Sequence, residues 1–153
     1  MHSRRLLVVI LFIASFSCVY IRGPSEKQEG IFGPVEASLC HINQKVASHF
    51  LVSGVPDSFN EAQYKTAVEE VCYSSPACKS QAQAIFNSYG VNARKIDDIF
   101  SVMLCDKEMK WKVMEDFSCN NLRVEIHSWK TTEKVPCEFE GNWQRIRQEN
   151  CNE

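Results

Sequence analysis

The chain has 153 residues with 17 basic and 19 acidic side chains, a net charge of −2, and eight cysteines. A mildly acidic balance without a basic stripe argues against nucleic acid or heparin as the partner, and the length suits one domain with short appendages. The cysteines include no Cys-x-x-Cys pair and no Cys/His set at zinc-finger spacing, so no metal or other cofactor is expected and disulfides in an oxidising compartment are.

In chain order, Arg4 and Arg5 precede an apolar run, Leu6 to Ile21, that contains no charge. This is the order of a secretory signal. At 16 residues the run is shorter than the ~20 helical residues that cross a ~30 Å hydrocarbon core, so export is expected rather than anchoring. Ser15 and Ser17 place small residues at −3 and −1 for a cut after Ser17, which assigns 1–17, extending to about 21, to the signal. Loss of Arg4 and Arg5 leaves 15 basic and 19 acidic residues, a net of −4. Residues 22–34 are polar and rich in turn formers and read as a flexible tail. Residues 35–153 then form a single disulfide-bonded domain.

Leu39, Ile42, Val46 and Phe50 share one face of a helix from about Glu36 to just before Gly54. A second helix opens with Ser58 and Glu61 at capping-box spacing, sets Phe59, Ala67, Val68 and Val71 inward, and ends near Cys72. Ser75 and Pro76 read as N-cap and first residue of a third, with a stripe of Ala82, Ile85, Phe86 and Tyr89 closed by Gly90. Asn92 caps a predicted fourth helix along Ile96, Ile99, Phe100, Met103 and Leu104. A fifth, from about Lys107, carries Met109, Trp111, Val113, Met114 and Phe117. Beyond Cys119, Leu122, Val124 and Ile126 alternate with polar residues and suit a short strand or an irregular extended run. Residues 131–136 are a loop, and Trp143, Ile146 and Arg147 suggest a short terminal helix tied down by Cys137 and Cys151. The expected fold is therefore mainly α: a small disulfide-stapled bundle of four to five helices with a cysteine-tied, irregular C-terminal tail.

Cleavage after Ser17 retains all eight cysteines, and loss of Cys18 leaves seven. Cys18 precedes the loose tail and reads as lost or unpaired, and an odd count implies a spare thiol or a disulfide-linked dimer. Among Cys40, Cys72, Cys78, Cys105, Cys119, Cys137 and Cys151, the favoured pairs are Cys72–Cys78, which flank a helix–helix turn, and Cys40–Cys105, which would clamp the bundle ends. Cys119 would then pair with Cys137 or Cys151.

Once His2 leaves with the signal, His41, His49 and His127 remain as candidates for a general base or metal ligand. His41 and His49 lie on one helical face with Lys45 between them, which supplies a third positive group instead of a third ligand. Glu69-Glu70 and Asp97-Asp98 are adjacent pairs whose side chains diverge by ~100° on a helix, too far apart in direction to flank one bond. No His-Glu-x-x-His or Gly-x-Ser-x-Gly motif occurs. No catalytic residue is assigned and the chain is not expected to be an enzyme.

Leu39-Cys40, Tyr64-Lys65-Thr66-Ala67-Val68, the close pair Cys72 and Cys78, and Cys105-Asp106 follow one another in an order that resembles microplusin and hebraein, the tick antimicrobial peptides. The resemblance covers residues 39–106 and implies a helical, disulfide-bonded defence protein. Two of that family's six cysteines have no counterpart here, and its histidine-rich copper-binding tail is absent, so copper sequestration is not implied.

The leading expectation is a secreted, cysteine-rich, defence-like or venom-like effector that acts by binding an extracellular protein or membrane target. A carrier whose Phe-, Met- and Ile-rich helices enclose a small hydrophobic ligand is the first alternative. A cytokine-like signalling bundle is the second, and it requires an exposed anchor among Trp111, Trp129 and Trp143.

Overall fold

The computed structural model of the chain describes residues 19–21, 33–116, 124–129, 132–139 and 141. Val19–Ile21 form an edge strand, β1, and α1 follows at Gly33–Ser53. The stripe of Leu39, Ile42, Val46 and Phe50 is buried, joined by Cys40, Asn43 and Ala47. α1 stops at Gly54, whose φ of 73° suits a residue without Cβ and whose N–H donates to the Phe50 carbonyl at 2.9 Å.

In α2 (Glu61–Val71) the cap is Asn60, not Ser58: its Oδ1 accepts from the Ala62 and Gln63 amides, two donors that the first turn would leave unpaired. Ser58 instead accepts from the Gln63 side chain at 3.0 Å. α3 (Pro76–Ser88) starts as expected, with Ser75 Oγ accepting from the Cys78 amide and Pro76 in the first turn.

The helical pattern ends there. The expected fourth helix is a hairpin of β2 (Gly90–Ile96) and β3 (Ile99–Cys105), and the expected fifth is a turn leading into β4 (Lys112–Asp116). With β5 (Glu125–Ser128) these make a five-stranded sheet, order β1-β5-β4-β3-β2, antiparallel except for the β1–β5 pair. Three helices on a sheet replace the expected mainly α bundle of four to five helices.

The reason lies in β3. All seven residues of Ile99–Cys105 are buried, so both faces of the strand meet packed matter, and a short continuous apolar run cannot be told by period from a helix stripe. The two-residue connection is Asp97-Asp98, with Ile96 paired to Ile99. Asp97 adopts φ 50°, a left-handed conformation that aspartate tolerates in turns. At the second break, Asp106 Oδ1 accepts from the Lys110 and Trp111 amides, and Met109 turns with φ 55°. Gly90 follows α3 but serves close approach there: a Cβ would overlap Met109 Sδ and stand 3.0 Å from the Asp106 carbonyl.

One face of the sheet, with Val91, Ala93, Phe100, Val102, Leu104, Met114 and Ile126, joins Leu39, Ile42, Val46, Tyr64 and Val68 in a single core cluster. Phe50, Phe59 and Phe100 meet at centroid distances of 5.3–6.4 Å, aromatic contacts that each add about 1 kcal/mol to the area term. The opposite face is crossed by the C-terminal segment. Cys137 bonds Cys105 (Cα–Cα 5.8 Å), Cys137 N donates to Lys110 O, Lys112 N donates to Val135 O, and Phe139 lies against the Arg94 guanidinium at 4.3 Å.

Cys72 and Cys78 are bonded (Cα–Cα 5.2 Å). Cys40 is also in a disulfide, but because Cys105 holds Cys137 the expected Cys40–Cys105 pair does not form, nor does a Cys119–Cys137 pair. Cys105 ends an inner strand of the sheet and faces away from the helices, which puts it out of line with α1. Cys18, Cys119, Cys151, Trp143 and the expected terminal helix, the signal 1–17 and tail residues 22–32 lie outside the described residues. Gly33 and Pro34 belong to α1, and the folded unit reaches back to Val19.

Each bridge restricts the unfolded chain according to the loop it closes, 32 residues for Cys105–Cys137 and six for Cys72–Cys78. Serine replacement of the first pair is expected to cost about 4 kcal/mol and of the second about 2 kcal/mol, read as the order of urea midpoints among the native protein and the two double-serine variants.

Candidate functional site

Among the described residues, three places combine polar groups or open surface. The first lies between the helices and the sheet. Tyr64 of α2 donates its hydroxyl to Asn43 Oδ1 of α1, and Asn43 Nδ2 donates to Asp116 Oδ2 of β4, both at 2.7 Å and all buried. Asp116 is brought here by strand alternation, since it shares the helix-facing side with Met114. Burial, and next the Asp116 charge, push the Tyr64 phenol well above its ordinary range, so it stays a donor. This chain of bonds fixes orientation and leaves no reactive group open to solvent.

The second lies on the other face. In β4 the register moves from Leu104–Met114 to Cys105–Lys112, so Val113 is an extra, bulged residue. In an unbroken strand, residues three apart point to opposite faces, and the bulge restores Lys112 and Glu115 to one side. Their ion pair, 2.6 Å long with side chains 1% and 0% exposed, lies beneath Trp129, 4.9 Å from Lys112 Nζ to the ring centroid. His127 stands on the same face, its ring tilted against that of Trp129 with centroids 4.5 Å apart. Burial lowers its imidazole pKa below 6.5; Glu133 opposes that shift, Lys112 adds to it and Glu36 opposes it. Ser128 donates to the Glu36 carboxylate. A lysine sealed against its own counter-ion offers neither a nucleophile nor a base to a substrate, so the cluster is best understood as the internal support of the C-terminal segment.

The third is open. Where α2 runs into the turn and α3 leaves it, Val68, Cys72, Ala82 and Phe86 floor a groove of about 300 Å³, and Glu69, Tyr73 and Lys79 form its rim. The Cys72–Cys78 bond ties the two walls at one end. Tyr73 is 78% exposed, and the Lys79 ammonium lies 4.9 Å from its ring centroid. Neither Glu69 nor Lys79 has an ion-pair partner among the described residues. An apolar floor of this size with charged edges is suited to receiving a side chain or a small apolar group.

The histidines singled out from sequence do not come together. His41 is exposed on α1; His49, also exposed, pairs with Glu70 at 3.4 Å; His127 is on β5, across the sheet. Among the described residues no three His, Cys, Asp or Glu side chains converge, and no helix is long and apolar enough to cross a membrane. Asp97 and Asp98 sit in the hairpin turn. Trp111 and Trp129 are half-buried, each beside a lysine, Lys134 and Lys112. Tyr73 was missed as an anchor; its position between Cys72 and the Ser75-Pro76 helix start was the available signal, because a turn residue outside both helix stripes faces solvent.

No family model, curated protein or solved structure matches the chain.

Removing one partner of a sealed ion pair strands the other charge. Lys112→Met is expected to lose about 3–5 kcal/mol, and Lys112→Met with Glu115→Leu to recover most of that loss, measured by urea unfolding of both variants. For His127, the folded protein binds fewer protons than the unfolded chain between the lowered pKa and 6.5. Its contribution is complete above 6.5 and declines as pH falls through that window. The melting temperature should drop between about pH 7.5 and about pH 5.5, and His127→Asn should shrink the drop.

Proposed function

We propose that the chain is an exported, non-catalytic binding protein, of the effector kind, that docks a macromolecular partner through the groove between α2 and α3. The observation that carries this reading is the exposed Tyr73 ring beside an apolar floor whose walls are tied by Cys72–Cys78. Interface energy concentrates in a few aromatic or arginine anchors next to desolvated pockets, and a disulfide reduces the ordering cost of presenting them. The charged start followed by an apolar run supports export, and the bridges suit an oxidising compartment. The order Leu39-Cys40, Ala67-Val68, Cys72, Cys78 adds the similarity to tick antimicrobial peptides as support for a defence role, although Cys105-Asp106 here closes a strand.

A carrier of a small hydrophobic ligand is the second reading, favoured by the apolar floor. The groove's open rim suits a protein surface better than a molecule that must be shielded from water. A signalling role anchored on tryptophan has less support, because Trp111 and Trp129 are half-buried and, among the described residues, Tyr73 is the aromatic that faces outward.

The apolar fluorescent probe anilinonaphthalene sulfonate is expected to bind the native protein and to lose affinity by about tenfold in Tyr73→Ser with the melting temperature unchanged. No fluorescence gain with the native protein overturns the groove as a docking surface. Turnover of a lipid, peptide or nucleic acid by the purified protein overturns the non-catalytic reading.

A further inference from the structure

Resting on the reading of the α2–α3 groove as a docking surface, we infer that its occupant is the same groove of a second copy, so that the protein forms a weak two-fold dimer. A two-fold interface must be self-complementary: whatever one residue meets across the axis, that residue's counterpart meets in return. The groove rim meets this condition. Glu69 and Lys79 carry opposite charges, both are exposed, and neither is ion-paired within the chain among the described residues. The apolar floor and Tyr73 belong to the same opening. A two-fold axis through the groove would set Glu69 of each copy against Lys79 of the other and bring each Tyr73 ring to the opposite apolar floor. Two unlike charges around an apolar centre also fit this occupant better than a ligand of one charge, which would leave either the acid or the base of the rim unmatched.

The size of the contact sets its strength. Two aromatic side chains bury ~300–500 Å² together, and the flanking charged side chains enlarge this only modestly, below the ~1,200 Å² of a stable complex. The dimer is therefore expected to dissociate in the high-micromolar range and to weaken with salt, because the paired charges lie at the rim.

Sedimentation velocity of the full mature chain from about 10 µM to about 500 µM tests this. Concentration-dependent dimerisation is expected for the native protein. Lys79→Glu alone and Glu69→Lys alone should each weaken it by at least about tenfold, since each places like charges across the axis. An equimolar mixture of the two variants should restore association, because the wholly acidic rim of one variant then faces the wholly basic rim of the other. A native protein that stays monomeric at the highest concentration overturns the inference. So does a dimer indifferent to both substitutions, or a mixture that fails to reassociate. Fluorescent-probe binding by the same samples separates the two levels: a monomer that still binds the probe loses the dimer but keeps the groove, and a monomer that binds no probe loses both.

Discussion

The hydrogen-bonded chain Tyr64–Asn43–Asp116 ties three elements that the hydrophobic effect alone would leave free to slide. Apolar burial is non-directional, so the contact of α1 and α2 with the sheet could be satisfied at several rotations of either helix. The Asp116 carboxylate at the end of β4 accepts from Asn43, and the Asn43 amide oxygen accepts from the Tyr64 hydroxyl, so the two bonds favour one arrangement of the three elements. A register that broke either bond would forfeit a buried hydrogen bond, at a cost of about 1–3 kcal/mol for each group left without one. The helical layer is thereby locked to the strand that also carries the ion pair of the opposite face.

β4 is consequently the hub of the molecule. Its helix-facing residues, Met114 and Asp116, serve the core and the polar lock, and its other face carries Lys112 and Glu115. A single bulged residue makes this division possible, because without Val113 as an extra residue one of the two charges would enter the apolar core. The Lys112–Glu115 pair, Trp129 above it and the Cys105–Cys137 bridge together give the C-terminal segment a defined seat on the sheet. The second face, which in many sheets of this size is wetted, is instead covered at Ser101, Met103, Cys105, Lys112 and Glu115, the last two paired with each other.

These arrangements separate buried polar groups from exposed ones. The charged groups with the most unusual surroundings lie inside and face each other, so their chemistry is directed to holding the fold. The groups available to a partner, Glu69, Tyr73 and Lys79, lie on the rim of the α2–α3 groove, where the Cys72–Cys78 bond replaces the packing that a two-helix corner lacks. That placement is what the proposed docking surface rests on.

The three helices were legible from residues 33–88 because their apolar residues recur at a spacing no strand shares over three turns, and because Ser75-Pro76 and Gly54 mark their ends by local sterics. The local pair Cys72–Cys78 was legible for the same reason: six residues around a turn decide it. Ile96 to Leu104 was not, since a strand buried on both faces loses the alternation that distinguishes it, and only a sheet with helices on one side and the C-terminal segment on the other makes such burial possible. The partner of Cys105 and the bulge that unites Lys112 with Glu115 depend on residues far apart in the chain meeting in space. Local conformational preference thus determined the helices and their ends, and long-range burial decided the sheet, its polar face and the open groove.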